Sequence, residues 1–147
     1  MYTEKNKKVA FAESCTGGYI CHMITNISGS SEVFERGIVC YSNDSKEELL
    51  KVPHETLIKH GAVSEQVADK LCRGIRKISN VNVGIGITGI AGPTGGTAEK
   101  PVGLVYIGIS TESIVNVYKY IIKKERIKFK KEVLKKVLVL LDDYIKI

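Results

Sequence analysis

The chain has 147 residues, of which 44% are hydrophobic and 26% are charged, and its formal net charge is +6. This length fits a single domain over residues 1–147, and the spacing of Cys15, Cys21, Cys40 and Cys72 excludes both CxxC pairs and a small secreted disulfide scaffold. The polar N-terminus and the lack of any apolar run near ~20 residues exclude a signal peptide and a membrane anchor, so we expect a cytoplasmic protein with reduced thiols.

Helical and strand patterns alternate along the chain. In chain order we predict strands at residues 8–12, 37–42, 83–88, 103–110 and 114–122, and helices at residues 16–27, 45–51, 64–78 and 126–145. The second and third strands are each entered from a helical segment, which favours parallel pairing, whereas the last two are joined by three residues and should form an antiparallel hairpin. The pattern predicts an α/β fold, a mixed, mostly parallel sheet with helices on both faces.

The most informative local feature is the sequence AESCTGG at residues 12–18, where the first strand turns into the first helix. Ser14 on such a turn suits a nucleophile, because free amides and the positive end of a helix dipole can stabilise an oxyanion. The same position also suits a plain helix N-cap. Local pattern leaves both interpretations open.

A serine nucleophile needs a base at neutral pH. His22, His54 and His60 all occupy positions that favour surface residues. Lys46 follows the second predicted strand, where open α/β sheets gather their sites, and a desolvated lysine there could serve as base, although the pattern is also typical of a surface lysine. Cys15 is an alternative nucleophile, but it has no evident partner to stabilise a thiolate.

A second glycine-rich segment, TGIAGPTGGT at residues 88–97, follows the third predicted strand. Its four glycines would let backbone amides approach a ligand closely. The segment lacks both GxGxxG and the GK[ST] of a P-loop, so neither dinucleotide nor ATP binding is indicated. A pocket-lining loop and a long surface loop both fit.

The positive charge is concentrated in one patch. Residues 119–136 contain nine Lys or Arg and two Glu, a local net charge of +7, which leaves the rest of the chain at −1. The patch overlaps the last predicted helix, whose apolar positions are Val133, Val137, Leu140, Leu141 and Tyr144. This favours the solvated face of a core-packed helix, then an anion site near its N-terminal turn, and only last a duplex-binding surface.

Five ordered motifs carry a family resemblance. AESCTGG, GSSEVFERGIVCYSNDSK, GAVSE, TGIAGPTGG and EKPVGLVY, in this order and spacing, closely resemble the CinA carboxy-terminal domain family, the nicotinamide mononucleotide deamidases. The resemblance is dense over residues 9–106 and continues weakly into the final helix. It implies a three-layer α/β/α sandwich and a Ser/Lys amidohydrolase that converts nicotinamide mononucleotide to nicotinate mononucleotide and ammonia without a metal or cofactor.

The resemblance also assigns roles to residues. Ser14 matches the family's nucleophile, Lys46 matches its lysine base, and Tyr41 lies in the YSN segment near that lysine. We expect the backbone N–H groups near Thr16 and Gly17 to stabilise the oxyanion. The remaining pocket residues are expected in the second glycine-rich segment and are Thr88, Gly89, Gly92 and Gly95.

Two departures from the family pattern stand out. One is that we expect the standalone form, without the larger amino-terminal domain that family members often carry. The family's Gly-Asp-Arg-x-x-x-Arg start of the last helix is KERIKFK here, which keeps Arg126 and places Lys130 at the second arginine. Because lysine lacks the bidentate fork of arginine, this change affects phosphate or substrate binding rather than the hydrolytic chemistry. Arg126 with Lys130 or Lys100 is the candidate phosphate site.

These observations predict a small-molecule nucleotide substrate rather than nucleic acid or a membrane. An exposed hairpin edge would allow a homodimer or higher homo-oligomer. Two alternatives remain: a catalytically silent ligand-binding module of the competence and DNA-damage context, and an anion-binding or nucleic-acid accessory protein that uses the basic patch.

Overall fold

The structure is a computed structural model that describes residues 7–145. Residues 1–6, which make up most of the polar N-terminal segment, lie outside the described part, as do residues 146 and 147. The elements within it are β1 Val9–Glu13, α1 Tyr19–Thr25, a 3-10 turn Ser30–Glu32, β2 Phe34–Val39, α2 Asn43–Leu50, α3 His54–His60, α4 Glu65–Ser79, β3 Val83–Gly89, β4 Leu104–Ser110, β5 Val115–Ile121 and α5 Arg126–Ile145.

The five strands form one mixed sheet in the order β2-β1-β3-β4-β5. β1 pairs in parallel with both β2 and β3, as predicted, and β4 and β5 form the predicted antiparallel hairpin. β3 and β4 are also antiparallel, so parallel pairs make up half of the sheet rather than most of it. The reason is that no helix lies between β3 and β4 to carry the chain back for a parallel crossover.

Helices cover both faces of this sheet and complete the α/β/α sandwich. β1 is buried on both sides, and its alternating side chains enter two separate cores. Val9 and Phe11 pack into the core that includes α1 and α5. Ala10 and Ala12 pack into the core that includes α2, α3 and α4. The position of β1 inside the sheet, between β2 and β3, therefore fixes the residues that follow it between the two helical layers.

The two longest helices pack as their apolar spacing predicts. Ser64 caps α4, since its hydroxyl accepts the Val67 amide at 3.2 Å. α4 lies so close to the sheet that a Cβ on Gly86 would stand 2.6 Å from the Leu71 Cβ. On α5, the buried side chains include all five of the predicted apolar positions, Val133, Val137, Leu140, Leu141 and Tyr144.

The largest differences from the predicted boundaries occur at β2 and α1. β2 is an exposed edge strand at Phe34–Val39, three residues earlier than predicted, because Ser42 already serves as the N-cap of α2. α1 begins at Tyr19 rather than at residue 16 and ends at Thr25. The late start follows from the left-handed backbone of Gly17 and Gly18, with φ of 60° and 97°, which an α-helix cannot include.

The four cysteines are free thiols, as their spacing predicted. Within residues 7–145, none of the helices is both long enough and apolar enough to span a bilayer. The extent of the domain over residues 1–147, the cytoplasmic location and the oligomeric state remain predictions.

Candidate active site

Ser14 lies immediately after β1, on the predicted turn. Its amide donates to the Ile87 carbonyl of β3 at 3.0 Å, and its carbonyl accepts the Gly17 amide at 3.1 Å, so one neighbouring strand and the turn itself hold its backbone. The residue is 7% exposed. Since the N-cap of α1 is Gly18, Ser14 is not a helix cap, and that alternative is excluded.

Lys46 reaches this serine from α2. The Lys46 Nζ lies 3.0 Å from the Ser14 Oγ, and it donates to the carbonyls of Cys40 at 2.8 Å and Tyr41 at 3.1 Å. A reciprocal capping box between Ser42 and Ser45 fixes the first turn of α2 and therefore the direction of the lysine. Lys46 is only 1% exposed, which rules out a surface lysine.

The surroundings of Lys46 favour a neutral amine. It forms no ion pair within residues 7–145, where the four salt bridges all involve other side chains. Burial lowers the pKa of Lys46 below its ordinary value, an effect that the neighbouring Cys40 and Cys15 thiols only partly oppose. A lysine in this setting can lose its proton much more easily than an exposed one.

Tyr41 follows β2 at the same edge of the sheet, but its side chain points to the mouth of the site and is 61% exposed. The Tyr41 hydroxyl accepts from an Nη of Arg126 at 3.2 Å, and only its backbone carbonyl contacts Lys46. The structure thus brings Tyr41 to the site through its main chain.

The second glycine-rich segment forms one wall of a cavity of about 300 Å³ beside Ser14. Thr88 lines this cavity, but its hydroxyl donates to the Ala62 carbonyl at 2.7 Å and so braces the facing loop. Gly92 has a φ of 80°, and a Cβ there would stand 2.3 Å from the Val102 Cγ1, so this position requires glycine. The predicted residues that line the cavity are Ser14, Tyr41, Lys46, Thr88, Gly89, Gly92, Gly95 and Arg126.

The three cations proposed for phosphate occupy different places. Arg126 bridges the mouth, since one Nη donates to the Gly92 carbonyl at 2.7 Å and the other contacts Tyr41. The Lys130 Nζ lies over the turn, 3.8 Å from where a Cβ of Gly17 would stand. Lys100 instead donates to the His60 carbonyl. At the start of α5 the amides of Ile127 and Lys128 donate to the Glu125 carboxylate, so these two amides are already bonded.

Thr16 and Gly17 lie on the turn but outside the cavity lining. The Gly17 amide donates to the Ser14 carbonyl within the turn, and its expected role at an oxyanion stays a prediction. The Thr16 amide donates to no acceptor among the residues described, and the buried Thr16 hydroxyl likewise lacks a partner there. Thr16 therefore keeps a free backbone donor two residues after Ser14.

The competing nucleophile and bases are poorly placed. Burial raises the pKa of Cys15 to about 12, which keeps its thiol protonated and weakly nucleophilic. His54 is exposed and pairs with Glu47 at 2.6 Å, and neither His22 nor His60 lines the cavity. Among the described residues, no group of three His, Cys, Asp or Glu side chains is arranged to hold a metal ion.

Glu13 is a site residue that the sequence interpretation missed. It is fully buried, and its Oε1 and Oε2 accept the amides of Ile20 and Cys21, each at 3.0 Å. The available signal was a carboxylate at the end of an otherwise apolar strand, next to the candidate nucleophile. Glu13 and Lys46 are the two charged side chains among the buried residues described.

The sequence relatives share one naming pattern. A protein of Caldicellulosiruptor bescii named as competence-damage inducible is 48% identical over 130 residues, covering 88% of this chain and 32% of its own length. A CinA-like protein of Koribacter versatilis is 55% identical over 104 residues, covering 71% of this chain and 25% of its own length. The chain thus spans about a third or less of the curated relatives that it matches.

The solved structures agree with the fold. Competence/damage inducible protein CihA from Agrobacterium tumefaciens has a TM-score of 0.93 at 40% identity, covering 97% of this chain and 87% of that one. A Klebsiella pneumoniae competence damage-inducible protein, at 24% identity, shares the fold with a TM-score of 0.95, covering 99% and 90% of the two chains. The family model described as the CinA C-terminal domain matches residues 1–145. The chain belongs to the CinA C-terminal domain family.

Proposed function

We propose that this protein is an amidohydrolase that converts nicotinamide mononucleotide to nicotinate mononucleotide and ammonia, with Ser14 as nucleophile and Lys46 as base. The observation that supports it is the 3.0 Å contact between the Lys46 Nζ and the Ser14 Oγ inside a buried site. The substrate comes from the resemblance to the family's deamidases, whereas the reaction type comes from the geometry.

The contacts of Lys46 accommodate both protonation states, since an ammonium would donate to all three neighbouring oxygens and a neutral amine to two of them. A neutral amine has two N–H bonds and one lone pair, and the carbonyls of Cys40 and Tyr41 accept two hydrogen bonds from Nζ. The lone pair is then left for the third neighbour, the Ser14 hydroxyl. The lone pair of Lys46 would then point at the Ser14 hydroxyl before substrate binds, as a general base requires.

The chemistry follows as acyl transfer. Lys46 takes the hydroxyl proton while the Ser14 Oγ attacks the carboxamide carbon, and the C=O electrons move onto oxygen. Protonated Lys46 then gives its proton to the amide nitrogen, the C–N bond breaks and ammonia leaves. Water attacks the Ser14 ester, Lys46 accepts one water proton and returns it to Oγ, and the carboxylic acid product departs and loses its remaining proton to solvent as the carboxylate.

The amide of Thr16 is one of the backbone donors near Ser14 that remain for the oxyanion, together with the amides of Cys15 and Gly18. It lacks an acceptor in the described structure, whereas the Gly17 amide is already bonded to the Ser14 carbonyl. A preorganised amide of this kind stabilises developing charge without reorganisation at the moment of reaction.

The volume of the cavity indicates which part of the substrate would be enclosed and which part would lie at the mouth. A volume of about 300 Å³ is at the small end for ligand pockets, which suits the pyridine ring and its carboxamide rather than a whole nucleotide. The ribose phosphate would then lie over the mouth, where Arg126 is placed and Lys130 is near. Both cations stand on one face of α5, four residues apart.

Ammonia release from nicotinamide mononucleotide tests the proposal. Nicotinamide alone and a purine nucleotide with an amino group are the controls, since the first lacks the phosphate and the second lacks the carboxamide. We expect release from the mononucleotide above both controls. Binding without release would instead identify a catalytically silent module.

A further inference from the structure

Glu13 holds the turn that carries the proposed nucleophile. Its carboxylate accepts the amides of Ile20 and Cys21, the second and third residues of α1, from seven and eight positions earlier in the chain. These amides are among the four at a helix start that have no acceptor within the helix. Glu13 therefore does the work of an N-cap from the end of β1.

The residue at the N-cap position cannot do this work itself. Gly18 occupies that position with φ of 97° and has no side chain to accept a hydrogen bond. A usual N-cap has extended backbone, as Ser64 does at the start of α4 with φ of −159°. The left-handed glycines allow the tight turn after Ser14, and Glu13 supplies the cap that they lack.

We propose that Glu13 is a positioning residue that sets the Ser14 hydroxyl against Lys46 by tying the start of α1 to the end of β1. This rests on the proposed role of Ser14 as nucleophile. The turn between Glu13 and Ile20 contains Ser14, so the two carboxylate bonds close it into a loop of fixed shape. Because misplacement of a reacting group by about 1 Å can cost about a hundredfold in rate, this closure bears directly on the rate.

The Glu13 carboxylate also determines which backbone amides are available to a substrate. Since Glu13 takes two of the amides at the start of α1, those donors are withheld from the site. The Glu13 carboxylate makes no hydrogen bond to the Lys46 Nζ, which contacts Ser14, Cys40 and Tyr41 instead. Removing its charge should therefore change the alignment of Ser14 without changing the protonation of the base.

The test compares Glu13→Gln with the wild type in the full chain. The probe is phenylmethanesulfonyl fluoride, which transfers its sulfonyl group to the Ser14 Oγ and releases fluoride. We expect the limiting labelling rate and kcat for nicotinamide mononucleotide to fall between about tenfold and about a hundredfold. KM and the pH midpoint of labelling should stay unchanged. Val137→Ala, a cavity in the α5 core, is the control for lost stability alone and should keep the labelling rate of the folded wild type.

Two results would overturn the proposal. One is a labelling rate of Glu13→Gln within about twofold of the wild type. The other is a slower rate accompanied by an upward shift of the midpoint, which would mean that Lys46 has become exposed and that Glu13 only maintains the fold. Wild-type protein whose serine is never labelled would remove the nucleophile and overturn this proposal together with the proposed function.

A second measurement covers the case in which Glu13→Gln does not fold. The Ile20 and Cys21 amides of the wild type should be protected from hydrogen exchange although they lie in the first turn of a short helix. Fast exchange at both would refute the cap. If labelling and exchange behave as expected but no ammonia is released from nicotinamide mononucleotide, the proposed substrate fails and the role of Glu13 stands.

Discussion

The Nζ of Lys46 lies 3.0 Å from the Oγ of Ser14, although 32 positions separate the two residues in the chain. Three parallel strands bring them together, because β1, β2 and β3 end at the same edge of the sheet. Ser14 follows β1 directly, and Lys46 comes from the helix that follows β2. The contact is buried, and Lys46 forms no ion pair with a carboxylate within the described part of the chain, which is a setting that suits a lysine base.

Lys46→Arg should be nearly as inactive as Lys46→Ala. Arginine keeps the positive charge but does not lose its proton near neutrality, so it cannot accept the Ser14 proton. The wild-type kcat/KM should rise with pH through a midpoint below the ordinary lysine value of 10.5, since burial lowers the pKa of Lys46. Steady-state ammonia release across a pH series measures the activities of the two variants and the midpoint for the wild type. An active arginine variant would show that Lys46 is not the base.

The burial of Lys46 also predicts a pH dependence of stability. Between its lowered folded pKa and the unfolded value of 10.5, the folded protein binds fewer protons at this site than the unfolded chain. The contribution of Lys46 to the free energy of unfolding therefore increases as pH rises through that window. Urea unfolding measures the free energy of unfolding of the wild type and of Lys46→Met. Between about pH 7 and about pH 10, this free energy should increase for the wild type relative to the variant. A difference that is independent of pH would contradict the lowered pKa.

Arg126→Ala should weaken the binding of nicotinamide mononucleotide more than the binding of its phosphate-free riboside. A charge-assisted hydrogen bond of about 1.5–3 kcal/mol corresponds to a KM increase of roughly 10- to 150-fold on the substrate that carries the phosphate. Tyr41→Phe is the matched control, since it removes the hydroxyl that Arg126 contacts and leaves the guanidinium in place. Lys130→Arg should be neutral or improve binding.

Equal losses on both substrates would assign Arg126 a different role. It would then act through its bonds to Gly92 and Tyr41, as a brace across the mouth. Tight duplex DNA binding at physiological salt would instead favour the nucleic-acid alternative for the basic patch.

Much of the fold follows from local patterns. The apolar runs of β1 and β3, the helical spacing on α5 and the three-residue link between the last two strands identify these elements without tertiary information. The predicted bounds of β2 were displaced by three residues, because an edge strand with exposed side chains has a weak hydrophobic pattern. The antiparallel direction of β4 relative to β3 could have been inferred, because no helix is predicted between residues 88 and 103 to carry the chain back for a parallel crossover.

The site was predictable in part. The glycines after Ser14 mark its turn, but burial of Lys46 depends on the register of three strands, which no local pattern encodes. Glu13 illustrates the same limit, because a carboxylate at a strand end resembles any polar boundary until the turn folds back. The outward side chain of Tyr41 and the bonded Gly17 amide likewise depend on side-chain and turn geometry.

The most direct test of the Ser14 and Lys46 pair is the rate of ammonia release from nicotinamide mononucleotide by the wild type, Ser14→Ala and Cys15→Ala. Loss of the nucleophile should lower kcat by more than about a thousandfold while the fold stays intact, and Cys15→Ala should keep most of the activity. Circular dichroism of the three proteins checks the fold. Ser14→Ala that retains more than about a tenth of the wild-type rate would contradict covalent catalysis by this serine.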